Sequence, residues 1–368
     1  MPTFKKVLAD TYSPLLGRPV DPESEILVTT GASEGLLSIV MGYVEPGEEV
    51  ILLEPVFSAY VLHVELAQGV PRYVSLHPPA GSESKTSSGN TWTLKMDELR
   101  AAITPKTKLL ILNNPHNPIG KVWTPDELRD IGELCVRNGI LMVSDEVYSR
   151  VAFTPNFTRL STISPEIAAH TILVGSVGKL FNATGWRLGY VIGPSDLVHP
   201  VQAAHFVICY TTSGPAQLAA VDGIQEANRT DWWEQNRVEV KGKVDSFCKV
   251  LDELEIPYVY PAGAYFVMVH TAGIQIPSSY CFPPDVASLS RDMRLCWFLM
   301  NEVGIASMPG STFYGPENAW IGENYLRFGV CKSTEALDLA KSRLRNLKPI
   351  LREIERGNKR SVKDIVKM

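Results

Sequence analysis

Gly175-Ser176-Val177-Gly178-Lys179 directly follows the apolar run Thr171-Ile172-Leu173-Val174. The run has the length and composition of a buried strand, and the glycines around the lysine predict a tight turn at its end. In such a turn the lysine side chain can point into a cleft. Most lysines are solvated surface charges, so the motif alone favours a surface lysine at a strand end. Other residues of the chain decide between a lysine in a cleft and a lysine on the surface.

Short apolar runs alternate with helical patterns through the first 230 residues. The runs lie at 26–30, 50–53, 108–112, 140–144, 171–174 and 189–192. Because they are apolar on both faces, they predict a mostly parallel sheet covered by helices. The polar segment 81–91 predicts an exposed loop. After about Asp231 a charged helical stretch is followed by shorter patterns, with strands expected at 258–260, 264–269, 305–306 and 325–330.

The sequence therefore predicts an α/β protein in three segments. Residues 1–25 form an N-terminal helix that is part of the small domain, residues 26–230 form the large domain, and residues 231–368 form a C-terminal small α+β domain. The helical spacing in the first segment is set by Phe4, Val7, Leu8 and Tyr12.

Composition narrows the class of protein. Of 368 residues, 45% are hydrophobic and 20% charged, with a net charge of -5 and no basic run, which argues against nucleic acid as a partner. No apolar stretch reaches the ~18 residues of a membrane span. Six scattered cysteines without a C-x-x-C motif indicate reduced thiols and a cytoplasmic protein, with a mitochondrial one possible if a missing N-terminal segment carries targeting. The histidines show no metal-ligand spacing, so no metal is expected.

Side chains near the ends of several runs match the functional groups of pyridoxal 5'-phosphate (PLP). Lys179 can bind the aldehyde, and Asp145 can keep the pyridine nitrogen protonated. Asp145 ends the run 140–144, at the strand end where ligands of open α/β sheets bind. Alone it could equally be a helix-capping or loop aspartate. Tyr148 and Asn117 can each hydrogen-bond the phenolic oxygen.

The phosphate of such a cofactor needs backbone N–H groups at a helix start, together with a cation and hydroxyls. The segment 30–35 passes from a strand to a helix and offers the amides of Ala32 and Ser33. Ser176 and Arg187 can complete the phosphate site. Each of these signals is weak alone, and their combination in one chain predicts the cofactor.

Two further residues complete the predicted site. Phe57 follows a strand and can stack on the cofactor ring, although a core phenylalanine is about as expected on spacing alone. Arg327 interrupts an apolar strand between Leu326 and Phe328, and a half-buried arginine needs an anionic partner such as a substrate α-carboxylate. The alternative is that Arg327 faces water on a half-exposed strand.

With these residues in place, the chain resembles the class I aminotransferases of fold type I, and most closely the kynurenine–oxoglutarate aminotransferase group, which includes glutamine transaminase K and cysteine-S-conjugate β-lyase. The resemblance runs from Val7 to about Leu347. It rests on the motifs TTGASEG, EPVFSAY, NNPHNPIGKV, SDEVY, GSVGKLFNATGWRLGY and YLRFGVCK.

The resemblance implies a role for each residue. Lys179 is the Schiff-base lysine, Asp145 the pyridinium partner, and Asn113 and Arg327 receive the substrate. The other cofactor-binding residues are Ala32, Ser33, Phe57, Asn117, Tyr148, Ser176 and Arg187. His116 stands where the family often has asparagine, and Arg187 where many relatives have lysine. The family's N-terminal arm is expected to be missing from this chain, and family members are homodimers.

The sequence thus predicts a PLP-dependent aminotransferase that moves an amino group from an L-amino acid to a 2-oxo acid such as 2-oxoglutarate, with ping-pong kinetics. The donor is expected among kynurenine, glutamine, and aromatic or sulfur amino acids. One alternative is a cysteine-S-conjugate β-lyase or another PLP enzyme of the same fold. A second alternative is a weakly active or non-catalytic PLP-binding protein that lacks its N-terminal arm.

Overall fold

The computed structural model describes residues 1–154 and 156–347. These residues form two compact units. The first consists of residues 1–77, 94–117 and 122–238, and the second of residues 78–93, 118–121 and those from 239 onward. Residues 348–368, which the sequence analysis assigned to the small domain, lie outside the described residues.

The first unit is built on an eight-stranded sheet. Its strands, in spatial order, are β1 (Ile26–Thr29), β9 (Gly189–Ile192), β8 (Thr171–Ser176), β7 (Leu141–Asp145), β6 (Thr107–Asn113), β2 (Glu49–Glu54), β3 (Val70–His77) and β5 (Thr93–Leu94). Strands β8, β7, β6, β2 and β3 run parallel to one another, whereas β9 is antiparallel to both β8 and β1. The predicted mostly parallel sheet is confirmed.

Helices follow most strands of this unit. They are α1 (Pro2–Leu16), α2 (Ala32–Tyr43), α3 (Ser58–Leu66), α4 (Met96–Ala102), α5 (Pro125–Arg137), α6 (Pro165–Ala169), α7 (Val177–Leu180), α8 (Ser195–Cys209) and α9 (Gly214–Arg229). A tenth, α10 (Trp232–Glu253), contains the boundary between the two units. Helix α5 begins at a reciprocal capping box, which Thr124 and Glu127 form around its first turn.

Alternate strand residues feed two separate cores on the two faces of the sheet. Leu27 and Val174 point to one face and are buried with α2, α3 and α8. Val28 and Leu173 point to the other face and are buried with α1 and α9. This division follows from the two-residue period of a strand, and it leaves the strand ends as the places where polar side chains can gather.

The position of α1 corrects one prediction. Residues 1–25 were expected in the small domain, but they belong to the first unit. Phe4 and Leu8 are fully buried beside α9, and the Tyr12 hydroxyl lies 2.7 Å from that of Tyr190 in β9. The helical spacing in the sequence was read correctly, but spacing does not say which apolar surface a helix will cover.

The second unit contains a five-stranded sheet in the order β12 (Met308–Pro309), β13 (Tyr325–Gly329), β11 (Phe266–His270), β10 (Tyr258–Tyr260) and β4 (Ser87–Ser88). Its helices are α11 (Pro284–Ala287), α12 (Arg291–Phe298), α13 (Ala319–Gly322) and α14 (Thr334–Arg345), and a π-helical turn spans Leu299–Val303. The mixture of helices and a mostly antiparallel sheet confirms the predicted smaller α+β part.

Two local predictions in this unit were wrong. The strand expected at residues 305–306 lies at Met308–Pro309, where it pairs with β13. The segment 81–91 is not simply an exposed loop, because it contributes β4, and a Cβ on Gly89 would lie 2.3 Å from the Ile119 carbonyl oxygen. Polar composition concealed a segment that is held by backbone pairing.

Among the described residues, no helix is long and apolar enough to cross a membrane.

Candidate active site

The polar residues predicted from the strand ends gather at one edge of the large sheet. Asn113 ends β6 and pairs directly with Asp145, which ends β7, and Ser176 ends β8. Because these strands are parallel, their carboxyl ends meet at the same edge, which is where open α/β sheets bind ligands. Lys179 follows one turn later in α7.

Asp145 is the buried anion of this edge, with its side chain almost inaccessible to solvent. One carboxylate oxygen accepts a short hydrogen bond from the Tyr60 hydroxyl, and the other accepts the backbone N–H of Val147 at 3.2 Å. Burial raises the pKa of Asp145 to about 6, although these two hydrogen bonds and the positive charge of Lys179 act to lower it. A cationic group bound beside Asp145 would lower this pKa and so keep the carboxylate ionised.

Tyr60 is a site residue that the sequence analysis missed. It is fully buried in the first turn of α3, and its ring meets that of Phe57 edge to face at 5.6 Å. Burial and the neighbouring charge of Asp145 raise its pKa well above the ordinary tyrosine value, so the hydroxyl stays a donor. The spacing of one helical turn between Phe57 and Tyr60 was the available signal, since it puts both rings on one side of the helix start.

Lys179 lies beside Tyr148, with its Nζ 5.8 Å from the centre of the tyrosine ring. Tyr148 is buried and Lys179 half-buried. Gly175 lies in β8, where a Cβ would be 2.1 Å from the ring of Tyr190, so a side chain there would collide with that ring. In place of the tight turn predicted around the lysine, the structure has the short helix α7, which contains Lys179.

The start of α2 forms a cradle with the chemistry of a phosphate site. Gly31 has φ 82°, and a Cβ on it would lie 2.6 Å from Nη2 of Arg187, so the guanidinium lies directly against the first turn. A Cβ on Gly189 would lie 2.5 Å from the backbone nitrogen of Ala32, so β9 also approaches closely. Helix N–H groups beside a guanidinium bind dianionic oxygens well. Ser33, next in the helix, offers a second amide.

Arg187 is itself held in an unusual backbone conformation. Its φ is 50°, in the left-handed region, and its Nη1 donates to the carbonyl oxygen of Thr184 at 3.1 Å. The residue is exposed, so the position is not explained by packing of an apolar core. A left-handed turn at a non-glycine residue that aims a cation at a helix start is consistent with a binding role.

The Asn113 side chain joins two strand ends. Its Nδ2 donates to the Asp145 carbonyl oxygen at 2.9 Å, and its Oδ1 accepts the backbone N–H of Asn117 at 2.6 Å. In this structure the Asn113 side chain therefore links the backbone of Asp145 to the backbone of Asn117. Its contact with substrate stays a prediction.

Arg327 is the one predicted site residue in the second unit. It lies in β13, half-buried, and its guanidinium carbon is 4.2 Å from the centre of the Phe266 ring and 4.9 Å from that of Phe313. The guanidinium therefore lies close to two aromatic rings, although the residue keeps part of its surface in water. Its contact with a substrate carboxylate stays a prediction.

The first-unit residues fit the groups of PLP. Lys179 offers an amine for the aldehyde, Asp145 an anion for the pyridine nitrogen, and Phe57 an aromatic face. The cradle formed by α2 and Arg187 offers donors for the phosphate. The fit rests on the close approach of Arg187 to Gly31, which concentrates hydrogen-bond donors at one point of the first unit.

Comparison with known proteins now decides the family. The sequence profile named "Aminotransferase class I and II" matches residues 1–344. The chain belongs to the class I and II aminotransferases. A probable kynurenine–oxoglutarate transaminase of Saccharomyces cerevisiae is 40% identical over 351 residues, which are 95% of this chain and 79% of the relative. A kynurenine–oxoglutarate transaminase of Dictyostelium discoideum is 34% identical over 352 residues, which are 93% of this chain and 81% of the relative.

Solved structures agree with this assignment. The crystal structure of a candidate kynurenine aminotransferase from Saccharomyces cerevisiae has a TM-score of 0.91 at 40% identity, and the match covers 95% of this chain and 82% of that one. An N-succinyldiaminopimelate aminotransferase from Mycobacterium tuberculosis has a TM-score of 0.82 at 31% identity, with 94% and 84% covered. This aminotransferase therefore has fold type I, and its cofactor is PLP.

The burial of Asp145 leads to a prediction on stability. A carboxyl whose folded pKa is raised binds its proton more tightly in the folded state. The stability that this proton contributes is fully present below about pH 4 and is lost as the pH rises through about 6. The substitution Asp145→Asn should therefore raise the free energy of unfolding of the cofactor-free protein at pH 8 by up to roughly 3 kcal/mol, at ~1.4 kcal/mol per pH unit.

Urea unfolding at pH 8 and pH 4 measures this difference, which should be close to zero at the lower pH. Asp130→Asn, at an exposed carboxylate of α5, is the control and should change stability by less than about 0.5 kcal/mol at both pH values. An Asp145→Asn protein that is less stable than wild type at pH 8 would contradict the raised pKa.

Tyr60→Phe removes the donor that stabilises the charged form of Asp145 while it keeps the ring. The pKa of Asp145 should therefore rise, and the pH below which PLP affinity is lost should move upward by about one to two units, since a hydrogen bond to a charge is worth roughly 1.5–3 kcal/mol. Fluorescence titration of PLP between pH 5 and 9 measures the shift. Tyr73→Phe, at a half-buried tyrosine of β3, should leave the profile unchanged, and an unshifted profile in Tyr60→Phe would remove Tyr60 from the site.

Proposed function

We propose that this aminotransferase takes its amino group from L-kynurenine or a related large L-amino acid and passes it to 2-oxoglutarate. Two relatives that match more than nine-tenths of the chain carry the name kynurenine–oxoglutarate transaminase. The aromatic-lined setting of Arg327 supports an amino acid substrate, because a stacked guanidinium can grip an α-carboxylate through two parallel hydrogen bonds.

The observation that carries the proposal is the meeting of Lys179 and Asp145 in one unit. The charge of Lys179 lowers the pKa of Asp145, so the ammonium and the carboxylate share one electrostatic environment. They come from the ends of the neighbouring strands β7 and β8, beside the cradle of α2. An amine and a buried carboxylate on one ligand-binding edge are what an amino-transferring site of this family requires.

When bound, PLP withdraws electrons from the substrate Cα. The chain supplies the rest. Asp145 would keep a proton on the pyridine nitrogen, and Tyr60, as a hydrogen-bond donor, favours the charged form of Asp145. The Lys179 amine would take the proton from the substrate Cα and would later return a proton to the product. The cradle of α2 and Arg187 would hold the phosphate.

Lys179→Ala tests the assignment of the amine. The variant should lose amino transfer by at least a thousandfold and lose the absorbance of protein-bound PLP, while circular dichroism stays that of the wild type. Lys95→Ala, at an exposed lysine of the same unit, is the matched control and should keep full activity. Lys179→Ala with wild-type turnover would show that another residue carries the proton.

Arg327→Lys tests substrate recognition. It keeps the charge but loses the planar two-donor fork, so KM for both the amino acid and the 2-oxo acid should rise at least tenfold, with PLP affinity unchanged. Steady-state kinetics with kynurenine, glutamine, aromatic and sulfur amino acids provides the measurement and ranks the donors. Unchanged KM values in the variant would assign Arg327 a structural role, and a kcat/KM for kynurenine below those of the other donors would overturn the proposed donor.

We also propose that the enzyme works as a homodimer. The end of α8 exposes a run of apolar side chains, with Phe206 57%, Val207 85% and Tyr210 69% accessible, and exposed clusters of this kind mark interfaces. Light scattering should find a dimer for the wild type and a monomer for Val207→Asp, whereas Val238→Asp, at an exposed valine of α10, should remain dimeric. A monomeric wild type would contradict the proposal.

A cytoplasmic location is proposed on the state of the thiols. The six cysteines, all of them among the described residues, form no disulfide, and Cys281 is an exposed thiol, which suits a reducing compartment. Cell fractionation with an antibody to the chain tests this, and recovery in the mitochondrial fraction would contradict it.

A further inference from the structure

Three side chains of different metal-binding chemistry meet between α2 and α8. The Nδ1 atom of His205 lies 3.0 Å from Oε1 of Glu34 and 3.4 Å from Sγ of Cys209. One ligand atom of each residue lies within 4.8 Å of the other two. His205 and Cys209 are four residues apart on α8, which puts both on one face of that helix. All three residues belong to the first unit.

Two edges of the triangle are close to the lengths that a tetrahedral zinc ion requires, and the third, between Glu34 and Cys209, is at most 4.8 Å. With bonds of about 2.0 Å to nitrogen and oxygen and 2.3 Å to sulfur, the edges of such a site are roughly 3.3 Å between N and O and roughly 3.6 Å between N and S. The observed separations of 3.0 and 3.4 Å are a few tenths of an ångström shorter. A small outward movement of each side chain would admit the ion.

Burial and charge at the triangle suit a divalent cation. The side chains of His205 and Glu34 are only 7% and 11% exposed. The Glu34 carboxylate accepts hydrogen bonds from the Ser38 hydroxyl at 2.5 Å and from the Thr30 backbone N–H at 2.8 Å, and these hold its oxygens in place beside His205. A neutral imidazole, a carboxylate and a thiolate together carry two negative charges, which a divalent cation neutralises.

We propose that Glu34, His205 and Cys209 form a site for a zinc-like divalent cation, with water at the fourth position. The bonds formed are from the metal to a Glu34 oxygen, to Nδ1 of His205 and to Sγ of Cys209. Two bonds to hydrogen break: the Cys209 S–H bond, whose proton leaves to solvent as expected when a thiol coordinates zinc, and the His205 Nδ1–H bond, whose loss is matched by protonation of Nε2, so that the imidazole stays neutral. The hydrogen bond between His205 and Glu34 is replaced by the two metal bonds.

The site would tie the end of α8 to the loop in front of the phosphate cradle. A Glu34 oxygen accepts the backbone N–H of Thr30 at 2.8 Å, and the Thr30 hydroxyl lies 3.4 Å from Sγ of Cys209. Thr30 directly precedes Gly31, which begins the cradle. The cation would therefore stabilise the loop that presents the α2 amides, without touching the residues assigned to PLP. The inference does not depend on the identity of the amino donor.

The experiment uses the PLP-loaded enzyme after treatment with a chelator and removal of free PLP. Isothermal titration with Zn²⁺ should give one ion per chain, and Cd²⁺ should produce the ultraviolet absorption of a cadmium–thiolate bond. Cys209→Ser, which changes little in volume, should weaken Zn²⁺ binding at least tenfold and abolish the cadmium band. Two matched controls should bind as wild type: His199→Gln, at an exposed histidine of the same helix, and Cys281→Ser, at an exposed cysteine.

His205→Gln should likewise weaken binding, and circular dichroism together with bound PLP reports whether it is folded. If His205→Gln does not fold, Cys209→Ser decides alone. Absence of stoichiometric Zn²⁺ binding in the wild type would overturn the proposal, as would Zn²⁺ affinity and a cadmium band that persist in Cys209→Ser. Either result would identify the triangle as a hydrogen-bond network only.

Discussion

The site depends above all on the burial of one carboxylate at the end of a strand. Asp145 is removed from water, which alone would favour its neutral form. The hydrogen bonds from Tyr60 and the Val147 amide and the charge of Lys179 lower the pKa of Asp145, but less than burial raises it. A protonated pyridine nitrogen beside Asp145 would lower this pKa further, so each group would favour the charged form of the other.

The parallel sheet makes this arrangement possible. It brings the ends of β6, β7 and β8 to one edge, so that Asn113, Asp145 and Ser176 come from distant sequence positions to adjacent strands. Glycine then allows the close approaches around that edge. Gly31 admits the Arg187 guanidinium against the start of α2, and any side chain there would push the cation away from the helix amides.

Much of this was predictable because strand ends and turns leave local signals. Lys179 and Asp145 each follow an apolar run, and the structure puts both where those runs end. Contacts between distant segments left no such signal. Tyr60 reaches Asp145 across 85 positions, and His205 reaches Glu34 across 171. The placement of α1 was missed for the same reason, since the apolar spacing of a helix does not predict which surface the helix will pack against.

The central claim is that burial keeps the pKa of the Asp145 carboxyl above its ordinary value until a cationic partner binds beside it. Carbon-13 NMR of the aspartate carboxyl groups in cofactor-free protein measures this directly, with Asp145→Asn to assign the signal. The account predicts that this carboxyl titrates with a pKa of about 6 and that, with PLP bound, it stays ionised throughout the range in which the protein is folded. A titration near the ordinary aspartate pKa of about 4 in the cofactor-free protein, unchanged by PLP, would contradict it.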